Sequence, residues 1–311
     1  MARNRLRAYL LIALASVVWW LLLHQRHETP AAEGVLVFAV GTRLPEEAFA
    51  GIWRGVQIGT GKGIWSYSLE GPSQQAEQLE ACFQQPWCAN TDVSTYVVFG
   101  CSQFGYLYDT RRKQRFRLQI SDREKLVALS IKGRFAIFAA EGKALVRKYQ
   151  IIKNEVRWRE KQFMPDTPSP DAVYFSPKGN AILMESGGWT YLLPALGQGA
   201  VKVLHVRAIG WMPDGVSCVF YNHVKRTLLL YDMLRDRLTI LDVSRYLVSH
   251  EIPIGLSPTG RYILTIRTRF DYRRSLPEVK TLCVRSIADP HQEHCIDAGW
   301  TLNGTCWLSS K

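Results

Sequence analysis

Short apolar runs along this chain are broken at regular intervals by polar turns, then resume with apolar residues at alternate positions. Each unit reads as an apolar stretch, a turn of the form Ser-Pro-x-Gly and an alternating stretch. It occupies Ala128–Phe138, Tyr174–Met184, Gly210–Phe220 and Gly255–Thr265, with a degenerate copy at Gly299–Leu308. Period-2 alternation rich in Val, Ile, Phe, Tyr and Trp predicts strands rather than helices. Proline presets φ at one turn position and glycine takes a positive φ at the end, so each unit predicts strand, tight turn, strand. The turn glycines Gly133, Gly179, Gly215, Gly260 and Gly304 recur every 36 to 46 residues.

A second unit lies between these copies. Tyr106–Asp109, a basic turn and Arg115–Leu118 predict a hairpin, and Leu228–Asp232 with Arg237–Leu241 predicts the same one. Two hairpins per period make a four-stranded blade, and blades in series make a β-propeller. Five blades are readable, at 87–120, 126–165, 171–205, 207–245 and 252–297. Val35–Val40 is expected to add a strand to the incomplete last copy, closing the ring from both chain ends and leaving no exposed edge. Residues 53–85, with Ile64–Leu69, look like a worn blade. The expected fold is all-β, a propeller of about seven four-stranded blades, with six the competing count.

The Ser-Pro-x-Gly unit, intact at Ser176–Gly179 and Ser257–Gly260 and altered to Met-Pro-Asp-Gly at Met212–Gly215, resembles the repeat of TolB-like and WD-repeat-like bacterial β-propellers. The resemblance is clear over 126–308 and weaker over 50–125. It implies a binding scaffold in the cell envelope, often one partner of a larger assembly. The partner-binding domain that usually precedes the propeller of TolB is absent, so that protein's role does not transfer.

The chain opens differently. Residues 8–23 are continuously apolar or small, preceded by Arg3, Arg5 and Arg7 and followed by Arg26. Sixteen helical residues cover roughly 24 Å, short for a ~30 Å hydrocarbon core but extensible by snorkelling and local thinning. A cleaved signal would need a small-x-small site soon after Leu23, where His24–Thr29 stands instead. The expected organisation is a cytoplasmic tail (1–7), a transmembrane signal-anchor (8–23), a linker (24–33) and the propeller (34–311). The arginine asymmetry places the propeller outside the cytoplasm. The expected location is a bacterial inner membrane, crossed once, with the C-terminal domain periplasmic.

Composition adds charge and sulfur. The chain has 39 basic and 27 acidic residues, a net +12, and residues 34–311 alone carry +10. The basic balance therefore belongs to the folded part. Of seven cysteines, Cys82 and Cys88 bracket a short loop, and Cys283 and Cys295 flank an Asp-Pro turn symmetrically. Both pairs are expected to form disulfides, consistent with an oxidising compartment. Cys101, Cys218 and Cys306 read as core thiols. Reduced, buried sulfurs are the alternative for all seven.

Candidate chemistry is sparse. Ser257 stands in the repeat's turn and is no nucleophile elbow. His291 and His294 lack a third metal ligand in sequence. No catalytic residue, metal or cofactor is expected. The basic clusters are the functional lead: Arg111, Arg112, Arg115 and Arg117; Arg157 and Arg159 around Trp158; and Arg267, Arg269, Arg273 and Arg274 around Phe270 and Tyr272. Alternate residues of an outer strand share a solvent face, and arginine favours bidentate contacts to carboxylate or phosphate. A solvated outer face is the plain alternative. The expected function is a membrane-tethered, non-enzymatic scaffold that docks a protein or an anionic envelope polymer; nucleic acid is disfavoured by the location. The alternative is a hydrolase or lyase acting on a glycan or lactone, with acids, histidines or a metal on the axis.

Overall fold

The computed structural model describes residues 35–40, 63–68, 76–81, 86–193, 202–247, 250–271, 276–299 and 302–308. All of them fall in the unit Ala32–Lys311. Strands dominate, and the helix among the described residues is a 3-10 turn, Asp242–Tyr246. No helix among the described residues is long and apolar enough to cross a membrane. The expected anchor at 8–23 lies outside them.

The strands form successive four-stranded antiparallel meanders. Strands β1 (Val35–Val40), β2 (Gly63–Ser68) and β3 (Ala76–Ala81) run side by side. Next come β4 (Pro86–Thr91), β5 (Tyr96–Cys101), β6 (Phe104–Asp109) and β7 (Gln114–Gln119). They are followed by β8 (Glu124–Ser130), β9 (Phe135–Ala140), β10 (Lys143–Ile152) and β11 (Glu155–Pro168). The chain continues through β12 (Ala172–Phe175), β13 (Ile182–Ser186), β14 (Trp189–Leu193) and β15 (Lys202–Leu204). Then come β16 (Arg207–Trp211), β17 (Ser217–Asn222), β18 (Thr227–Asp232) and β19 (Arg237–Ile240). The last full meander is β20 (Glu251–Leu256), β21 (Tyr262–Asp271), β22 (Leu276–Ser286) and β23 (Glu293–Gly299).

The final strand, β24 (Leu302–Leu308), pairs antiparallel with the open edge of β1, placing Leu36 opposite Trp307. The two chain ends thus share one sheet, as the alternation at Val35–Val40 suggested. Strands β2 and β3 complete that same sheet, in the order β24-β1-β2-β3. The segment read as a worn blade therefore builds on β1 rather than standing alone.

Apolar cores lie between consecutive meanders rather than inside one. Leu107 and Leu118 pack with Leu129 and Phe138, and Ala128 and Ile137 with Val173 and Met184. Leu183 packs with Ala208 and Phe220, and Ile209 and Val219 with Ile263. The cycle passes from the last full meander to the first where Tyr262 and Trp307 stack at 6.5 Å. Face-to-face sheets repeated about common inner strands give a propeller-like, all-β architecture. Phe99, Phe138 and Phe220 are fully buried in these seams, where each side chain contributes about 1.5–3 kcal/mol by leaving water.

The repeated turns explain their own recurrence. In the Ser176 turn, Gly179 donates to the Ser176 carbonyl at 2.8 Å with φ +72°. Gly260 does the same to Ser257 at 2.9 Å with φ +70°. Where proline is lost, the left-handed residue moves on to Arg134, φ +52°. Each turn also grips a neighbour. Asp92 accepts the Ser130 hydroxyl and the Ile131 amide at 2.6 Å each, and Lys132 donates to the Pro177 carbonyl at 2.7 Å. Ser176 donates to the Gly215 carbonyl at 3.3 Å, and a Cβ on Gly260 would stand 2.7 Å from Pro213 Cδ. The period is thus a period of contacts between sheets.

Candidate functional site

The hairpin β6–β7 turns on Asp109, whose Oδ1 accepts the amides of Arg111 and Arg112 at 3.0 Å each. Burial alone would raise its pKa, but the Arg112 amide, the Tyr96 hydroxyl and the Arg111 amide outweigh that and hold it below the ordinary carboxylate value. Asp232 caps the β18–β19 turn in the same way, accepting from Leu234 and Arg235. With the turn fixed, the strand's alternation decides which side chains face out. On β7, Leu118 is buried and Phe116 half-buried, while Arg115 and Arg117 are exposed, as are Arg111 and Arg112 in the turn. Arg115 lies over the rings of Tyr106 and Tyr108, 5.6 and 5.7 Å from their centroids, and donates to the Leu79 carbonyl at 3.3 Å.

On β11 the same alternation buries Val156, half-buries Trp158 and exposes Arg157 and Arg159. Trp158 packs edge-on against Phe138 at 5.0 Å and donates its indole N–H to the Gln119 carbonyl at 2.6 Å. Arg159 donates to Gln150 Oε1 at 3.0 Å, and Arg157 stands 3.5 Å from Glu155. The hairpin β10–β11 turns at Lys153 and Asn154, φ +48° and +63°, the two consecutive left-handed residues of a type I′ turn.

The tip of this hairpin reaches the neighbouring meander. Arg117 donates its backbone N–H to the Asn154 carbonyl at 2.8 Å, Gln114 donates to Asn154 Oδ1 at 3.0 Å, and Glu155 pairs in parallel register with Arg117. At the inner edge β4 and β8 pair in parallel at Asn90–Ala128 and Thr91–Leu129. The two meanders so form one closed eight-stranded sheet. Two arginine clusters separated in sequence thereby become one basic belt. Its cleft, about 870 Å³, is walled by Phe104, Tyr106, Arg117, Gln119, Arg157 and Trp158, and Glu155 is the one acid among the described lining residues. Phe104 is 62% exposed beside it.

The third expected cluster behaves differently. Arg267 is largely buried and donates to Glu251 at 3.1 Å and Glu293 at 2.8 Å. Arg285 joins the same carboxylates. Burial would push the Arg267 guanidinium pKa down, but these two acids raise it. Arg267 is thus engaged internally, away from the belt. Arg269 lies on β21 with its side chain outside the described ones, and Arg273 and Arg274 lie outside the described residues.

Cys283 and Cys295 face each other across β22–β23 and are bonded, S–S 2.08 Å, Cα–Cα 4.1 Å. Cys88 is described and is not disulfide-bonded, so the expected Cys82–Cys88 bridge is not formed; Cys82 itself lies outside the described residues. Cys101, read as a core thiol, is instead disulfide-bonded. Cys283, Glu293 and Cys295 crowd within 4.8 Å of one another, but the two sulfurs hold each other and offer no thiolate to a metal. His294 is half-buried, and burial pushes its imidazole pKa down; His291 is exposed.

The inner strands enclose a cavity of about 240 Å³ on the axis, bordered by Asn90, Asp92, Tyr96, Trp211, Ser257 and Trp307 among others. Asp92 is its one carboxylate among the described lining residues, and it holds the Ser130 hydroxyl and the Ile131 and Lys132 amides.

No protein-family model matches the chain, and no curated protein matches its sequence. Among solved structures, the β-propeller domain of Cps50 (Swd1) from Myceliophteria thermophila is similar at a TM-score of 0.47 and 12% identity, over 80% of this chain and 81% of that one. A likeness at that level bears no weight here, and the propeller-like architecture rests on the strand pairings above.

Proposed function

We propose that this chain is a six-bladed propeller scaffold that docks an acidic protein face on the β7–β11 belt. Six meanders of four strands among the described residues support that count. In this reading residues 8–23 anchor the scaffold in a bacterial inner membrane, with the propeller on the periplasmic side. The arginine asymmetry about the apolar run supports that orientation.

The observation that carries the docking reading is the contact of Arg117 with Asn154 and Glu155, which brings two arginine clusters to one cleft. Arginines beside Trp158 and the exposed Phe104 have the composition of a protein-binding hot spot. A glycan or lactone enzyme would need converging acids or histidines on the axis, where Asp92 is already occupied by three donors.

The test is a crosslinked membrane pull-down read by mass spectrometry, comparing the natural chain with one carrying Arg117→Gln and Arg157→Gln. A partner lost from the variant, and lost by the natural chain in high salt, supports the reading. Equal recovery from both overturns it. Loss of an anionic glycan or lipid rather than a protein would reassign the partner's class. A cytoplasm-only reporter at Lys311 should be silent, and a signal there overturns the orientation.

A further inference from the structure

Three glutamates with nearly buried carboxyls sit near strand ends in different meanders, and they are not treated alike. Glu124, at the start of β8, accepts from Arg147 at 2.8 Å with Lys161 at 3.6 Å. Glu251, at the start of β20, accepts from Thr265 at 2.6 Å, Arg267 at 3.1 Å and Arg285 at 3.3 Å. Glu185, near the end of β13, is 8% exposed, and its nearest cation is Arg207 Nε at 3.7 Å, beyond hydrogen-bond length. Its Oε1 is buried and has no partner; Glu124 Oε2 is buried and unpartnered too, but Glu124 keeps a hydrogen-bonded arginine on its other oxygen.

Glu185 borders a cavity of about 560 Å³ between the starts of β12, β16 and β20 and the turns β13–β14 and β17–β18. That is the size of a small-molecule site. Every charged group that faces it can be accounted for. Asp171 accepts the Gly187 amide at 2.9 Å, and Glu251 is held by its two arginines. Arg226 donates to the Leu247 carbonyl at 3.4 Å. His223 stacks edge-on with His205 at 5.5 Å, and Tyr221 is buried in the wall. The Arg207 side chain is 41% exposed, and its guanidinium makes no hydrogen bond among the described residues. The cavity thus presents a guanidinium fork without a hydrogen-bond acceptor beside a carboxyl group whose Oε1 is sealed from solvent and unpaired.

We propose that this cavity binds a small carboxylate ligand, gripped by Arg207 beside a Glu185 that carries a proton. A planar guanidinium suits a carboxylate bidentately. An ionised Glu185 would repel the ligand across a few ångströms of low dielectric, so binding takes up one proton from solvent at this carboxyl. Burial, the largest influence, outweighs Arg207 and the Ala208 amide and pushes the Glu185 pKa to about 7, so the proton is available near neutrality.

The test is isothermal titration of the full chain with succinate and with its neutral analogue succinamide, at pH 6 and pH 8, in two buffers of different ionisation enthalpy. Succinate should bind, with proton uptake at pH 8, and about tenfold more weakly there than at pH 6, because only the protonated fraction is competent. Succinamide should not bind. Arg207→Gln should lose succinate at both pH values. Glu185→Gln, which is neutral at every pH, should keep binding and lose the pH dependence, while His223→Asn should keep both. The proposal is overturned if succinate does not bind, if succinamide binds equally, or if no proton is taken up. It is equally overturned if the pH dependence survives in Glu185→Gln and vanishes in His223→Asn. Absence of proton uptake by the natural chain overturns the proposal even where a variant fails to fold.

Discussion

Arg117 and Asn154, thirty-seven positions apart, are joined by a backbone hydrogen bond of 2.8 Å from the Arg117 N–H to the Asn154 carbonyl. The bond ties the outermost strand of one meander to the tip of the next one's long hairpin. It depends on Lys153 and Asn154 holding left-handed backbone, because only a tight type I′ turn aims the Asn154 carbonyl at β7. The cleft of the basic belt lies directly along this join.

Replacing Asn154 by valine should therefore break the join. A β-branched residue at φ +63° costs about 1–2 kcal/mol. Amide hydrogen exchange at Arg117 should accelerate in Asn154→Val and stay near the natural rate in Asn154→Gly, which tolerates the turn. Unchanged exchange in the valine variant would show that the turn does not hold the contact.

Charge removal on the belt should affect association and spare the fold. Arg112, Arg117, Arg157 and Arg159 are exposed, and exposed charges contribute about 0–1 kcal/mol each. Changed together to glutamine, they should weaken partner binding and flatten its salt dependence between low ionic strength and ~0.15 M, where screening sets in over ~8 Å. Urea midpoints should move little. Arg115 is left in place because its guanidinium covers Tyr106 and Tyr108, and its loss would mix packing with charge. A salt response identical to that of the natural chain would reduce the belt to a solvated surface.

The period of the fold was legible because its signals are local. A glycine two residues after a turn proline announces a positive φ, and Gly179, Gly215 and Gly260 adopt it, whereas Gly133, in the copy without proline, does not. Asp109 and Asp232 announced two equivalent hairpins, and both cap their turns. The expected blades at 126–165 and 207–245 cover β8–β11 and β16–β19 to within a few residues. What depended on distance was not legible. Arginine runs show charge but not orientation, so Arg267 looked like Arg157 until Glu251 and Glu293 were placed beside it. The union of β7 with β11 follows from hairpin length and twist, which alternation alone does not carry. Glu185 follows Met184 at a strand end like any solvated polar residue, and its isolation becomes visible only once β16 brings up Arg207 at 3.7 Å. Cys101 gave no cue of a bridge, since one cysteine in an apolar strand reads as a small buried side chain.

The bond between Cys283 and Cys295 spans 12 residues of sequence, and closing a loop of that size in the unfolded chain contributes about 3 kcal/mol in the entropic account. Non-reducing peptide mapping should recover the two linked, and Cys101 should resist alkylation until reductant is added. The double change Cys283→Ala and Cys295→Ala should lower stability by about 2–4 kcal/mol. Full alkylation of Cys283 without reductant would remove the bridge from the native protein.

Glu185 should leave a signature in the pH dependence of stability. Its carboxyl moves from an ordinary 4.5 to about 7 on folding, chiefly through burial. Below 4.5 the group is protonated in both folded and unfolded chains and costs nothing. As pH rises from there, the unfolded chain ionises first, and stability falls until the folded group ionises near 7. At 1.36 kcal/mol per pKa unit the full loss is about 3 kcal/mol, undiminished by solvent because the residue is 8% exposed. Glu185→Gln cannot ionise and escapes this loss. Urea unfolding of both proteins at pH 5, 6, 7 and 8 should show the variant gaining on the natural chain mainly between pH 5 and 7, then holding its gain. Groups common to both proteins cancel in that difference. A gap that stays constant from pH 5 to 8 would mean that Glu185 titrates like an exposed carboxylate, and that its buried, unpartnered oxygen does not exist in solution.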